Sequence, residues 1–195
     1  MKKLALVILA GISFATANAQ IQIGAKAGFN LATLNGSDAG NAGTIVNFHF
    51  GGFARIPLVE KLSLQPELLY SAQGGSYSNP DVTEHDNYLN IPVLLKYAIV
   101  DGLAIETGPQ FGILLAAHDK ANGNSLTIKK YRNDRDFAWV VGASYRIPAT
   151  KFGIDARYNF GIANIENKDQ TGGNGSIRNG VFQLGATYVL FSAGK

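Results

Sequence analysis

The chain reads as one all-β domain, an eight-stranded antiparallel up-and-down transmembrane β-barrel. Three observations predict this class. Apolar residues recur with a period of two in eight segments of about ten residues, the length at which a tilted strand crosses a bilayer. The connections between segments alternate short and long. The polar face of the segments is built mainly from Gly, Asn, Gln and Ser, where a water-facing sheet would be expected to carry many Lys and Glu. Composition agrees: only 16% of residues are charged, and the 23 glycines argue against a largely helical fold.

The first segment to place is not a strand. Met1-Lys2-Lys3 is a positive start, Leu4 to Phe14 is apolar, and Ala17-Asn18-Ala19 has the small-x-small form of a cleavage site. Residues 1–19 are therefore expected to be a signal peptide, with Gln20 as the new N-terminus and a barrel domain over 20–195. The apolar run is too short to span about 30 Å of hydrocarbon. With no cysteine, the chain has no lipoprotein anchor, disulfide or thiolate metal site. Without Lys2 and Lys3 the formal charge falls from +3 to +1, and no basic patch calls for nucleic acid.

The strands follow in order. Ile21, Ile23, Ala25, Ala27, Phe29 and Leu31 oppose Gln22, Gly24, Lys26, Gly28 and Asn30. Phe48 and Phe50 oppose Asn47, His49 and Arg55. Leu62, Leu64, Leu68 and Tyr70 oppose Ser63, Gln65, Glu67 and Ser71. Leu89, Ile91, Val93, Leu95 and Tyr97 oppose Asn90 and Lys96. Leu103, Ile105, Phe111, Ile113 and Leu115 oppose Glu106, Gly108, Gln110 and Gly112. Phe137, Trp139, Val141, Ala143 and Tyr145 oppose Asp136, Gly142, Ser144 and Arg146. Phe152, Ile154, Ala156, Tyr158 and Phe160 oppose Gly153, Asp155, Arg157 and Asn159. Phe182, Leu184, Ala186, Tyr188 and Leu190 oppose Gln183, Gly185 and Thr187.

Short turns are predicted near 57–60, 99–102 and 148–150, and long polar loops at 33–44, 74–86, 118–133 and 163–177. Short periplasmic turns alternating with long outer loops are the pattern of bacterial outer-membrane barrels, with apolar faces to lipid and both termini in the periplasm. Aromatic residues fall at two heights, as such barrels place them. Phe29, Phe48, Tyr70, Trp139 and Phe160 lie near the loop end. Tyr97, Tyr145, Phe152 and Tyr188 lie near the turn end.

The candidate functional residues are then the inward charges. Lys26, Arg55, Glu67, Lys96, Glu106, Arg146, Asp155 and Arg157 are expected to form a structural network that fills the lumen, joined by Asp136. Eight strands leave an interior just wide enough for side chains, and buried charges are costly unless paired. No catalytic, cofactor or metal residues are assigned. His85 and His118, with Glu84, Asp86 and Asp119, are weighed as a divalent-metal cluster; solvated loop residues are the preferred reading. Ser71, Ser76 and Ser78 near His85 are too weak a set for a hydrolase.

Four stretches are familiar: GAKAGFN at 24–30, QPELLYS at 65–71, YLNIPVLLKY at 88–97 and GPQFG at 108–112. Together they resemble the outer-membrane β-barrel family of Bacteroidota known as PorT-like or porin family. The resemblance covers essentially all of 20–195 and implies an eight-stranded barrel without a shared activity; a few members are linked to protein secretion. The expectation is a non-enzymatic barrel without cofactor, acting structurally or through its outer loops. Its partners would be outer-membrane lipid and lipopolysaccharide, the assembly machinery during biogenesis, and an extracellular or envelope protein. The alternatives are narrow or gated passage of a small solute and an accessory role in secretion.

Overall fold

The computed structural model describes residues 20–78, 81–121, 123–172 and 174–193; the expected signal peptide, 1–19, lies outside them. The described chain forms β1 (Ile21–Asn35), β2 (Ile45–Val59), β3 (Leu62–Ser78), β4 (Asp81–Val100), β5 (Leu103–Ala121), β6 (Asn124–Thr127), β7 (Arg135–Arg146), β8 (Phe152–Gly161) and β9 (Arg178–Ala193). Eight of these close a ring in which each strand pairs antiparallel with its neighbours, β4 meeting β5 and β9 meeting β1. Closure removes the open edges that a bilayer would not tolerate. β6 stands outside the ring as a short hairpin arm on the end of β5. Among the described residues no helix is long and apolar enough to cross a membrane.

The period of two places the side chains. Phe29 is 65% exposed on the barrel surface and its neighbour Asn30 is fully buried in the lumen. Val46, Phe48, Phe50, Ile105, Phe111, Ile113, Ile154 and Leu184 extend the exposed apolar belt. Aromatic rings cluster within it: Phe48, Phe50 and Tyr70 form one group, and Phe152 meets Tyr188 at 4.8 Å on the short-turn side. The lumen is not wholly polar. Phe53, Leu69, Leu94 and Val140 are buried on the inward phase, positions the expected pattern left unassigned.

The turns fall where expected, and Asp101-Gly102 shows why. Gly102 joins β4 to β5 at φ +80, a conformation glycine adopts without steric cost. The long loops differ from expectation. Residues 74–78 and 81–86 are strand and not loop, because β3 and β4 keep pairing from Gly74↔His85 to Ser78↔Asp81. Within 118–133, β5 runs on to Ala121 and folds back as β6. Their Gly, Ser and Asn content suggested loops, but the cross-strand ladders continue beyond the belt, and neighbouring segments bond to them at Ser76 and Ala117.

The remaining loop segments pack over the long-loop end. Leu34, Ala39, Ile165 and Ile177 make an apolar cap with Ala42 and Tyr77 against it. Main-chain bonds tie segment to segment: Asn133 N–H to Ile165 O (2.7 Å), Ile165 N–H to Ile177 O (2.8 Å) and Gly43 N–H to Ser76 O (2.7 Å).

Candidate functional site

The middle of the lumen is crossed by one connected polar network. Lys26 from β1 lies 2.5 Å from Asp155 of β8 and 4.0 Å from Glu67 of β3. Arg157, one inward step along β8 from Asp155, donates from Nη1 to Glu67 Oε2 (2.9 Å) and from Nε to Gln183 Oε1 (2.7 Å). Gln183 Nε2 then donates to Asn30 Oδ1 (2.8 Å), and Asn30 Nδ2 to Ser71 Oγ (3.0 Å). His49 Nδ1 also lies 2.8 Å from Asn30 Oδ1; an amide oxygen only accepts, so Nδ1 carries the proton. Two positive and two negative side chains thus balance across the section. Gly185 makes the room: a Cβ there would stand 2.8 Å from Asp155 Oδ2 and 2.9 Å from Lys26 Cε.

Six of the eight expected network residues are buried and ion-paired: Lys26, Glu67, Asp155 and Arg157 as above, and Lys96 with Glu106 at 2.6 Å. The other two stand apart. Arg146 is not in the buried network. It ends β7, so its side chain leaves the lumen for water, half exposed and 3.4 Å from Asp101. Arg55 is half-buried and has no carboxylate within 4.0 Å among the described residues. Its Nε donates to Gln65 Oε1 (3.0 Å) and its Nη1 to Gln22 Oε1 (3.4 Å). Asp136 is buried and takes Asn179 Nδ2 at 3.0 Å.

A second buried cluster, absent from the expected network, lies under the cap. Arg132, just after the 3-10 turn Lys129–Tyr131, turns inward to Glu84 of β4 with both Nε and Nη2. Asp86 lies beside them, 3.7 Å from Arg132 Nε. This level is beyond the apolar belt, since the outward residues of β4 there are Asn87, His85 and Thr83. Burial and then Glu84 hold the Asp86 carboxyl well above its ordinary value, with Arg132 opposing them in part. The signal was present in the sequence: Glu84 and Asp86 continue the inward phase of Asn90 and Lys96.

That phase also dissolves the weighed metal cluster. His85 pairs with His118 on the outer face, whereas Glu84, Asp86 and Asp119 take the inward phase. No set of three metal-ligating side chains comes together among the described residues. Ser71 is sealed in the lumen, bonded to Asn30 and Gln73, on the face opposite His85.

At the short-turn end the lumen opens into a chamber of about 270 Å³. Gln22, Arg55, Lys96, Arg146, Lys151 and Asp155 are among its lining residues.

The family model described as outer membrane protein beta-barrel domain matches residues 14–167. No curated protein matches the chain. Among solved structures the fold is similar to three barrels. Neisserial surface protein A is 12% identical with a TM-score of 0.57, over 85% of this chain and 96% of that one. Ail, the attachment invasion locus protein of Yersinia pestis, is 15% identical at 0.54, over 88% and 99%. The outer membrane protein OprG from Pseudomonas aeruginosa is 13% identical at 0.51, over 92% and 99%.

Proposed function

Because the chain belongs to the outer membrane protein β-barrel domain family, we propose that it is a closed, non-enzymatic barrel that acts through its outer surface. In this reading the short turns and both termini face the periplasm and the long-loop end faces outward. The observation that carries it is the buried network of Lys26, Glu67, Asp155 and Arg157 across mid-lumen, which leaves interaction, not passage, as the work of the fold.

The partner that best fits the outer rim is anionic lipopolysaccharide. Strand alternation sorts charge by face here. Glu84, Asp86 and Asp119 turn inward while His85, His118 and Lys120 turn outward, just above the lipid belt. Lys129 joins them, its Nζ donating to Leu115 O at 3.2 Å, and Lys130 lies 4.7 Å from the Tyr131 ring centre. The ammonium groups of Lys120, Lys129 and Lys130 at this height meet headgroup phosphates without entering hydrocarbon.

The test is a rim variant, Lys120→Gln with Lys129→Gln and Lys130→Gln, reconstituted beside the parent. Lipopolysaccharide should bind the parent and bind the variant at least about tenfold more weakly, and neither should conduct at porin size in planar bilayers. Equal lipopolysaccharide binding would overturn the rim assignment, and large reproducible conductance the closed barrel. Replacing the whole loop is a poorer test, because it would also remove Arg132 from Glu84.

A further inference from the structure

We propose that the chamber at the short-turn end is a binding site for a small oxyanion, a carboxylate or phosphate group, received by the guanidinium of Arg55. The proposal needs only the chamber and not the orientation of the barrel or its outer partner.

Arg55 is the exception to a rule the rest of the lumen keeps. Lys26, Lys96, Arg132 and Arg157 each have a carboxylate within 4.0 Å, and Arg55 has none among the described residues. A half-buried cation with no carboxylate in contact carries a desolvation cost. A guanidinium lowers that cost best with a planar or tetrahedral oxyanion that takes two parallel N–H bonds.

The group is also held in place without being neutralised. Gln65 and Gln22 accept from Nε and Nη1 as neutral amides. Gln65 is itself fixed from the other side, donating Nε2 to Glu67 Oε1 at 2.8 Å. The guanidinium carbon sits 5.7 Å from the ring centre of Phe53, which is buried in the lumen wall. Ordering of the fork is therefore part of folding and is not left to the binding step.

The surroundings carry the same sign. The chamber is lined by Arg55, Lys61, Lys96, Arg146 and Lys151 against Glu60 and Asp155. Asp155 is already engaged by Lys26 at 2.5 Å, and Lys96 by Glu106 at 2.6 Å. Arg55, Lys61 and Lys151 remain without a carboxylate among the described residues. At about 270 Å³ the space is well above the minimum that holds a single water and has room for a phosphate or a short carboxylic acid. Asp155, held by the buried Lys26 at 2.5 Å, forms part of the chamber wall.

The experiment uses residues 20–195 refolded in a maltoside detergent, which contains no phosphate, with 15N-labelled arginine. The Arg55 Nε–H resonance is followed while inorganic phosphate replaces chloride at constant ionic strength. The expected result is a saturable shift of that resonance. Intrinsic fluorescence or calorimetry should show phosphate binding weakened at least about tenfold in Arg55→Gln and only a few-fold in Arg55→Lys, with Arg178→Gln unchanged. Native folding of each variant is read from its heat-shifted gel mobility, and the charge-keeping Lys variant separates loss of the cation from loss of fold. Adding short-chain phosphatidylglycerol distinguishes the sources. Displacement of phosphate supports a lipid headgroup reaching the chamber mouth, and no displacement supports a soluble anion. A non-saturable response equal for phosphate and chloride would mean that water alone satisfies Arg55. Binding of the same strength in Arg55→Gln would mean an adventitious ion only. Either outcome overturns the proposal.

Discussion

At the long-loop end of the lumen one buried cation, Arg132, faces two carboxylates, Glu84 and Asp86, beneath an apolar cap of Leu34, Ala39, Ile165 and Ile177. At the short-turn end Arg55 faces no carboxylate and opens onto a chamber. One end therefore holds an excess of negative charge in a sealed site, and the other an excess of positive charge in an accessible one. The difference lies in what can satisfy a polar group. Under a cap, only the protein can do so, and an unmatched charge must bind a proton or strain the packing. In an open chamber, water or a ligand can do so, and the unmatched charge is free to act.

The largest test of this contrast is Arg132→Ala. It strands Glu84 and Asp86 in a sealed site, a change that costs about 3–5 kcal/mol where a buried pair loses one partner. The loss should stay local. Hydrogen exchange at the cap amides of Asn133 and Ile165, now bonded to Ile165 O and Ile177 O, should quicken more than about a hundredfold. The Ala98 amide, bonded to Lys61 O at the other end, should hold its rate. Unchanged exchange at Asn133 would show that the apolar cap closes this end without Arg132.

The matching change at the open end is Lys96→Gln, which leaves Glu106 without its 2.6 Å partner. Lys96 lines the chamber, so water can reach the vacated place. The expected cost is about 1–3 kcal/mol, the usual range for leaving one buried group unsatisfied, read from the urea midpoint of the barrel in micelles. A loss as large as that of Arg132→Ala would erase the distinction between the ends.

The barrel itself was legible because lipid and lumen impose opposite chemistry on successive residues; Phe29 and Asn30 record that in two positions. Its two ends were less legible, for different reasons. The hairpin of β3 and β4 is rich in Gly, Ser and Asn from Gly74 to Asp86, and composition outweighed the alternation of Glu84, His85 and Asp86. Arg132 was unreadable as a lumen residue, since its partner lies 48 positions away and its neighbours Lys129, Lys130 and Tyr131 suggest a solvated loop. Arg146 carried the right phase but ends its strand, where phase no longer decides burial. Arg55 carries the inward phase of His49, yet nothing in its local sequence shows that no carboxylate would meet it.

The smallest expected effect is the most specific to the sealed end. Asp86 is fully buried, and its carboxyl is held well above the ordinary aspartate range, first by burial and then by Glu84. A carboxyl raised in the folded state binds its proton more tightly there than in the unfolded chain. The stability this adds is fully present below the ordinary aspartate range and is lost as pH rises through the raised value. The cap should therefore loosen with rising pH in that window. Asp86→Asn keeps the shape and cannot ionise, so at pH above the raised value its cap amides should exchange severalfold more slowly than those of the parent. The pH slope of exchange should also shrink. What remains of it belongs in part to Asp119, raised by burial and Glu84 in the same way. The 3.7 Å approach of Arg132 to Asp86 is too long for a hydrogen bond, so little attraction is lost to offset the gain. If Asp86→Asn exchanges faster than the parent above that value, the approach of Arg132 outweighs burial and the sealed end is held by its charges, not in spite of them.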